Sequence, residues 1–167
     1  MAAQKLHVMS PAPARMRGDD WTWADFDRRA TRRDNHGFPL EGSFGADYHV
    51  KLDLNNATEA QIKEGMHERY RAENDEKSAK YIDRHTAMLL EIYRTLKEGD
   101  IIALKKGKTI IAFVQLTSNY YYNPDVQWGW HSWNYRLIRK ATDADQPANK
   151  GALIKTFYPH FLTQPLI

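Results

Sequence analysis

Near residue 100 the hydrophobic period of this chain changes, and the change limits the folds open to it. From Ser78 to Leu96 the residues Tyr81, His85, Met88, Leu89, Ile92, Tyr93 and Leu96 recur at helical spacing and predict an amphipathic helix. Lys97-Glu98-Gly99-Asp100 closes it. From Ile101 the period is two. Ile101 to Leu104 predicts a strand, Lys105-Lys106-Gly107-Lys108 a tight turn, and Thr109 to Leu116 the returning strand. A helix feeding a hairpin with a basic tip places the chain in the α+β class.

The remaining segments are consistent with that class. Lys5 to Met9 alternates as a short strand, ended by Ser10-Pro11-Ala12-Pro13 because proline donates nothing to a ladder. Asp19 or Asp20 caps a predicted helix from Trp21 to Thr31, with Trp23, Phe26 and Ala30 on one side. Glycines 37, 42 and 45 mark turns. Asp47 to Leu54 alternates, with Tyr48, Val50, Leu52 and Leu54 on one face, and predicts a half-buried strand that Asn55-Asn56-Ala57 breaks. Thr58 with Gln61 is a capping-box pattern, opening a helix to about Arg71 through Ile62, Met66, Arg69 and Tyr70. Trp130 to Ile138 predicts a further strand. Ala141 to Gly151 is polar and predicted flexible, and Ala152 to Leu162 is a last apolar segment of open type.

Length and composition bound the rest. At 167 residues one domain is expected, spanning the whole chain, with no internal repeat or low-complexity tract. Cysteine is absent, which removes disulfides, thiol catalysis and thiolate metal sites and makes a reducing, cytoplasmic location the expectation. The apolar runs are far shorter than the ~20 residues of a membrane span, so no membrane partner is expected. Gln4, Lys5 and His7 interrupt any leader-like apolar stretch. The net charge of +3 fits a nucleic-acid binder and an ordinary cytosolic domain equally. The segment from Arg15 to Arg33 holds six arginines but also Asp19, Asp20, Asp25 and Asp27, which reads as a solvated face rather than a phosphate track.

The candidate site lies between two predicted strands. Tyr120, Tyr121, Tyr122, Trp128, Trp130 and Trp133 crowd a short stretch that also carries Asn119, His131 and Asn134. Aromatic rings grip a flat base from both sides, at roughly 1 to 3 kcal/mol per stacked base, while amide and imidazole edges choose among bases. Arg136 and Arg139 are the nearby phosphate or base-edge candidates, because a guanidinium binds bidentately and also stacks. Lys106 and Lys108 at the hairpin tip are further phosphate candidates. The opposing view is that individual aromatics of the run simply complete the core.

The stretch from Lys97 to Ile138 resembles the PUA-like group that includes EVE and YTH domains and the N-terminal modules of modification-dependent restriction proteins. The likeness covers about forty residues: Lys-Glu-Gly-Asp-Ile-Ile-Ala-Leu, a second strand leading to Asn-Tyr-Tyr-Tyr, and His-Ser-Trp-Asn-Tyr-Arg-Leu-Ile. It implies a small, strongly curved β-barrel flanked by helices, with an aromatic base pocket built from Asn119 to Tyr122 and His131 to Ile138. It also implies a nuclease or NTPase subunit as companion. Where members carry a valine-tryptophan pair after the histidine, this chain has Tyr135-Arg136 and Leu137-Ile138.

Catalytic patterns are weak. No two histidines stand at i, i+4, no HExxH or P-loop occurs, and neither metal nor cofactor is expected. Asp75-Glu76-Lys77 has the acidic-x-lysine form of restriction nucleases without a convincing upstream partner, and His131-Ser132 adjacency makes no triad. The expected function is that of a non-catalytic reader of DNA or other nucleic acid, holding a modified or flipped base in the aromatic pocket. The alternatives are a free-nucleotide sensor using the same pocket and a protein-interaction module.

Overall fold

The computed structural model describes residues 4–9, 19–46, 48, 50–126, 130–147 and 157–162. Among the described residues three α-helices, α1 (Asp19–Arg28), α2 (Glu59–Ala72) and α3 (Ala79–Thr95), accompany eight strands. These are β1 (Gln4–Met9), β2 (Ala30–Arg33), β3 (Pro39–Ala46), β4 (Ile101–Lys106), β5 (Thr109–Leu116), β6 (Tyr121–Tyr122), β7 (His131–Lys140) and β8 (Phe157–Leu162). All belong to one sheet in the order β2-β3-β7-β5-β4-β1-β8, with β6 pairing β7 off that path. Among the described residues only the β1–β4 pairing is parallel.

The fold is therefore mixed α and β, as expected, but the end strands β2 and β8 do not pair with each other, so the sheet is open rather than a closed barrel. The β2 end shows one reason. That strand is four residues long, shifts register at Arg32 and Arg33, and presents charged side chains to solvent. Short, charged edges do not recruit another strand.

Strands β4 and β5 bury both faces, which is why their apolar runs look nearly continuous. Ile102, Leu104, Val114 and Leu116 join the main core with Ile62, Met66, Ile82, Leu89 and Ile92 of the helices. Ile101, Ala103, Ile110 and Phe113 form a smaller cluster with Leu6 and Val8 on the other face. Helix α2 starts at the expected capping box: Thr58 accepts from Gln61 N–H and the Gln61 side chain accepts from Thr58 N–H. Ser78 caps α3 by accepting from Tyr81 N–H. None of the helices among the described residues is long and apolar enough to cross a membrane.

Three readings of the sequence are corrected by the structure. The run Asp47 to Leu54 is not a strand at its described positions: Tyr48 sits in the left-handed region at φ 43°, which turns the chain, and Leu52 points outward at 37% exposure. Gly42 and Gly45 lie inside β3 rather than in turns, while Gly37, at φ 82°, does occupy one, between β2 and β3. Helix α1 also ends at Arg28 rather than Thr31, because Ala30 already pairs with Gly42. The segment after β7 is pinned at its described residues. Asp145 takes two hydrogen bonds of 2.7 Å from the Arg139 guanidinium, and the Gln146 amide accepts from Ile110 N–H and donates to Ile110 C=O, both at 2.9 Å. The loop Ser10–Pro13 lies outside the described residues, as do Ala148 to Thr156.

Trp133 is wholly buried, stacked near Phe44 at 6.1 Å and met edge-on by Tyr120 at 5.6 Å. Replacing it with alanine should cost about 3 to 5 kcal/mol, read as a lower midpoint in urea unfolding, because a large core side chain leaves a cavity that packing cannot close.

Candidate functional site

Strand β7 decides which residues of the aromatic run face solvent. Its side chains alternate, so His131, Trp133 and Tyr135 turn into the core while Asn134 and Arg136 face out. The run therefore separates into a buried half and a surface half.

The buried half is structural. His131 is fully enclosed, with Nε2 2.8 Å from the Val50 carbonyl and Nδ1 2.9 Å from the Tyr120 hydroxyl. A carbonyl only accepts, so Nε2 carries the proton and Nδ1 accepts from Tyr120; the Tyr120 oxygen in turn accepts from Leu54 N–H at 3.0 Å. Burial raises the Tyr120 pKa, keeping it a phenol able to donate in this relay. The relay ties the 50–54 loop to the sheet. Trp130 is 4% exposed, donates Nε1–H to the Val126 carbonyl at 3.1 Å, and lies under Arg69 and Lys51. Asn119 accepts from Glu98 N–H at 2.9 Å and so supports the turn after α3. Tyr122 is half-buried and tilted against His131. Trp128 lies outside the described residues.

The surface half opens on a cavity of about 450 Å³, within the size range of small-ligand sites. Tyr121, Asn134 and Arg136 line it together with Thr31, Glu41, Ser43 and Thr117. Register explains the grouping: Glu41 stands opposite Arg136 and Ser43 opposite Asn134 across β3 and β7, so all four share one face. Tyr121 reaches that face through the β6–β7 pair and donates its hydroxyl hydrogen to Asn134 Oδ1.

Behind the cavity lies a buried cation. The Arg29 guanidinium donates to Ser43 Oγ at 3.0 Å and Ser132 Oγ at 2.8 Å, with Asp25 at 3.5 Å. Burial lowers its pKa, with the Asp25 charge acting in the opposite direction. Gly42 permits this arrangement: a Cβ there would come within 2.7 Å of the Arg29 carbonyl, 2.8 Å of Ala30 Cα and 3.1 Å of the Tyr135 hydroxyl. Tyr135 lines the same cavity, and its hydroxyl is buried with no hydrogen-bond partner among the described residues.

The basic candidates divide. Arg136 donates to the Gln115 side chain and also lines the cavity. Arg139 is committed to Asp145 and lies 4.7 Å over the Phe113 ring, away from the cavity. Lys106 ends β4 and Lys108 lies in the turn before Thr109, both at the opposite end of the eight-residue β5 from Thr117, roughly 25 Å away at ~3.3 Å per residue. The described arginines of the early run all meet carboxylates: Arg28 and Arg29 meet Asp25, Arg33 meets Asp27, and Arg32 meets Glu41. Lys77 of the acidic-x-lysine sequence binds Asp75 at 2.9 Å and lies over the Tyr70 and Tyr81 rings.

A second cavity, of about 480 Å³, lies between α2 and the 51–57 loop and mixes Lys51 and Arg69 with Asp53, Glu64 and Glu68. None of the aromatic run lines it. Thr31, Glu41, Ser43 and Thr117 were not legible as site residues, because the segment holding Glu41 and Ser43 reads as a series of glycine turns. The one available signal was Asp34-Asn35-His36-Gly37, a turn sequence between two short runs; Asp34 accepts there from His36 N–H at 2.8 Å and Phe38 N–H at 2.9 Å. No family model matches this chain, and comparison with the curated proteins and with the solved structures gives no match.

The Arg139–Asp145 clasp has a readable pH dependence. Hydrogen bonds from Arg139 and Thr142 hold the Asp145 carboxyl at about 2, below its ordinary 3.8. A carboxyl with a depressed folded-state pKa stabilises the fold above its unfolded pKa and loses that contribution as pH falls through the folded value. Asp145→Asn should therefore lower the urea midpoint at pH 6, and the difference from wild type should shrink as pH drops from about 4 toward 2. A difference independent of pH would show that the clasp does not act through charge.

Proposed function

We propose that this chain is a non-catalytic nucleic-acid reader that holds a base, flipped or modified, in the β3–β7 cavity. The observation that carries this reading is the convergence of Tyr121, Asn134 and Arg136 on one base-sized space. Each supplies a different part of base recognition. The half-buried Tyr121 ring offers a stacking wall, Asn134 keeps its Nδ2 hydrogens for a base edge while Oδ1 serves Tyr121, and Arg136 supplies charge and bidentate donors. The cage moves accordingly. Trp130 and Trp133 support the strand that presents these residues and do not themselves flank the base.

A kinship with PUA-like readers belongs to the same proposal. Its support is the order of parts: helix α3 followed by the Gly99-Asp100 turn, the β4–β5 hairpin, the tyrosine strip, and the His131-led β7. A partner nuclease or NTPase follows from that kinship alone, and a cytoplasmic location from the absence of cysteine.

Tyr121→Ala and Asn134→Ala should each weaken oligonucleotide binding about fivefold or more in fluorescence titration, as expected for loss of one stacked ring or one base-edge contact. Neither side chain is in the core, so far-ultraviolet circular dichroism should be unchanged. Binding of a DNA strand should weaken steeply as salt rises, since phosphate contacts release counterions, whereas a free nucleotide should respond far less. Affinity for free nucleotides with none for oligonucleotides would make the chain a metabolite sensor. Unaltered binding in both variants would sink the assignment of this cavity.

A further inference from the structure

Glu41 and Arg136 stand directly opposite each other across β3 and β7, yet they form no ion pair with one another. Glu41 Oε1 takes Arg32 Nη1 at 3.1 Å on its outer side, and Arg136 turns one N–H to Gln115. Both line the cavity, and so do Ser43 and Asn134, which are paired with each other two residues along the same strands. Opposite charges on facing strand positions ordinarily close on each other. Here both remain at the wall of a base-sized space, one anionic and one cationic, with the Asn134 amide two residues along the same face.

We propose that this cavity selects guanine, an inference that rests on the base-binding reading above. Guanine is the base whose adjacent edges carry the complementary pattern. Its N1–H and N2–H₂ form a donor pair that a carboxylate accepts, and its O6 and N7 form an acceptor pair that a guanidinium meets bidentately. Glu41 faces the first edge and Arg136 the second, while Asn134 Nδ2 donates to O6, which lies where the two edges join. Glu41 Oε2 accepts no hydrogen bond among the described residues, leaving that oxygen for the ligand. Adenine places an acceptor, N1, against the carboxylate and a donor, N6, against the guanidinium. Cytosine and uracil lack the imidazole edge altogether. A site built for donor and acceptor pairs rejects a base that leaves them unmatched.

Calorimetric titration of the full chain with GMP, IMP, 7-deaza-GMP and AMP tests this. GMP should bind at least about tenfold more tightly than AMP. IMP, lacking N2, and 7-deaza-GMP, lacking N7, should each lose about fivefold or more, as one of the two pairs is cut to a single contact. Glu41→Gln, a surface substitution that preserves shape, should bring GMP down to the IMP level while leaving AMP nearly unchanged. Equal affinity of the wild type for GMP and AMP, or an undiminished GMP preference in Glu41→Gln, overturns the guanine assignment and leaves base binding standing. Failure of every nucleotide to bind, combined with failure of oligonucleotides, overturns both.

Discussion

Strand β7 must satisfy two ladders and one turn of chain at once, and the rest of the molecule is arranged around that requirement. It pairs with β3 on one side and with β5 and the short β6 on the other, so a change in its register would move every residue of the candidate site. Two buried features fix the register. Trp133 and Tyr135 pack inward among Phe44 and Phe26, and His131 finds acceptor and donor only where Val50 and Tyr120 stand. A slip of one residue would bury Asn134 and Arg136 and expose those rings. The surface chemistry of β7 is thus held in place by its hidden side.

That division explains why one dense aromatic stretch serves two purposes. A strand cannot give all its rings to a ligand, since alternate positions must fill the core. The nearer tyrosines split the same way. Tyr120 is drawn down by the His131 relay, and Tyr121, paired with Ser132, is sent to the opposite face. The polar groups around Tyr121 then come from β3, whose Ser43 is held by the buried Arg29, itself admitted by the bare backbone of Gly42.

The helices α2 and α3 and the β4–β5 hairpin were legible in the sequence because their signals are local: a capping box, a 3.6-residue stripe, and a period-two run around Gly107. The strand β7 and its outward Asn134 and Arg136 were legible for the same reason. What escaped was tertiary. The alternation of Tyr48, Val50, Leu52 and Leu54 imitates a strand, but the Val50 carbonyl is needed by His131, 81 positions away, and the chain turns at Tyr48 instead. Strand β3 was hidden because Gly42 serves close approach rather than turning, a demand visible only once Arg29 and Ala30 lie across it. Glu41 could not be read as a site residue before that strand had a partner.

The Gln146 side chain, bonded to both the N–H and the C=O of Ile110, stands in for a strand residue at a point just beyond the last β5–β7 pair, Ala112 with Lys140. Backbone left bare at such a point is a template on which a second molecule can add its own strand. A single amide imitates the geometry of a peptide group and seals that opening without extending the strand. A strand added there would have to displace the Gln146 amide from both backbone groups of Ile110.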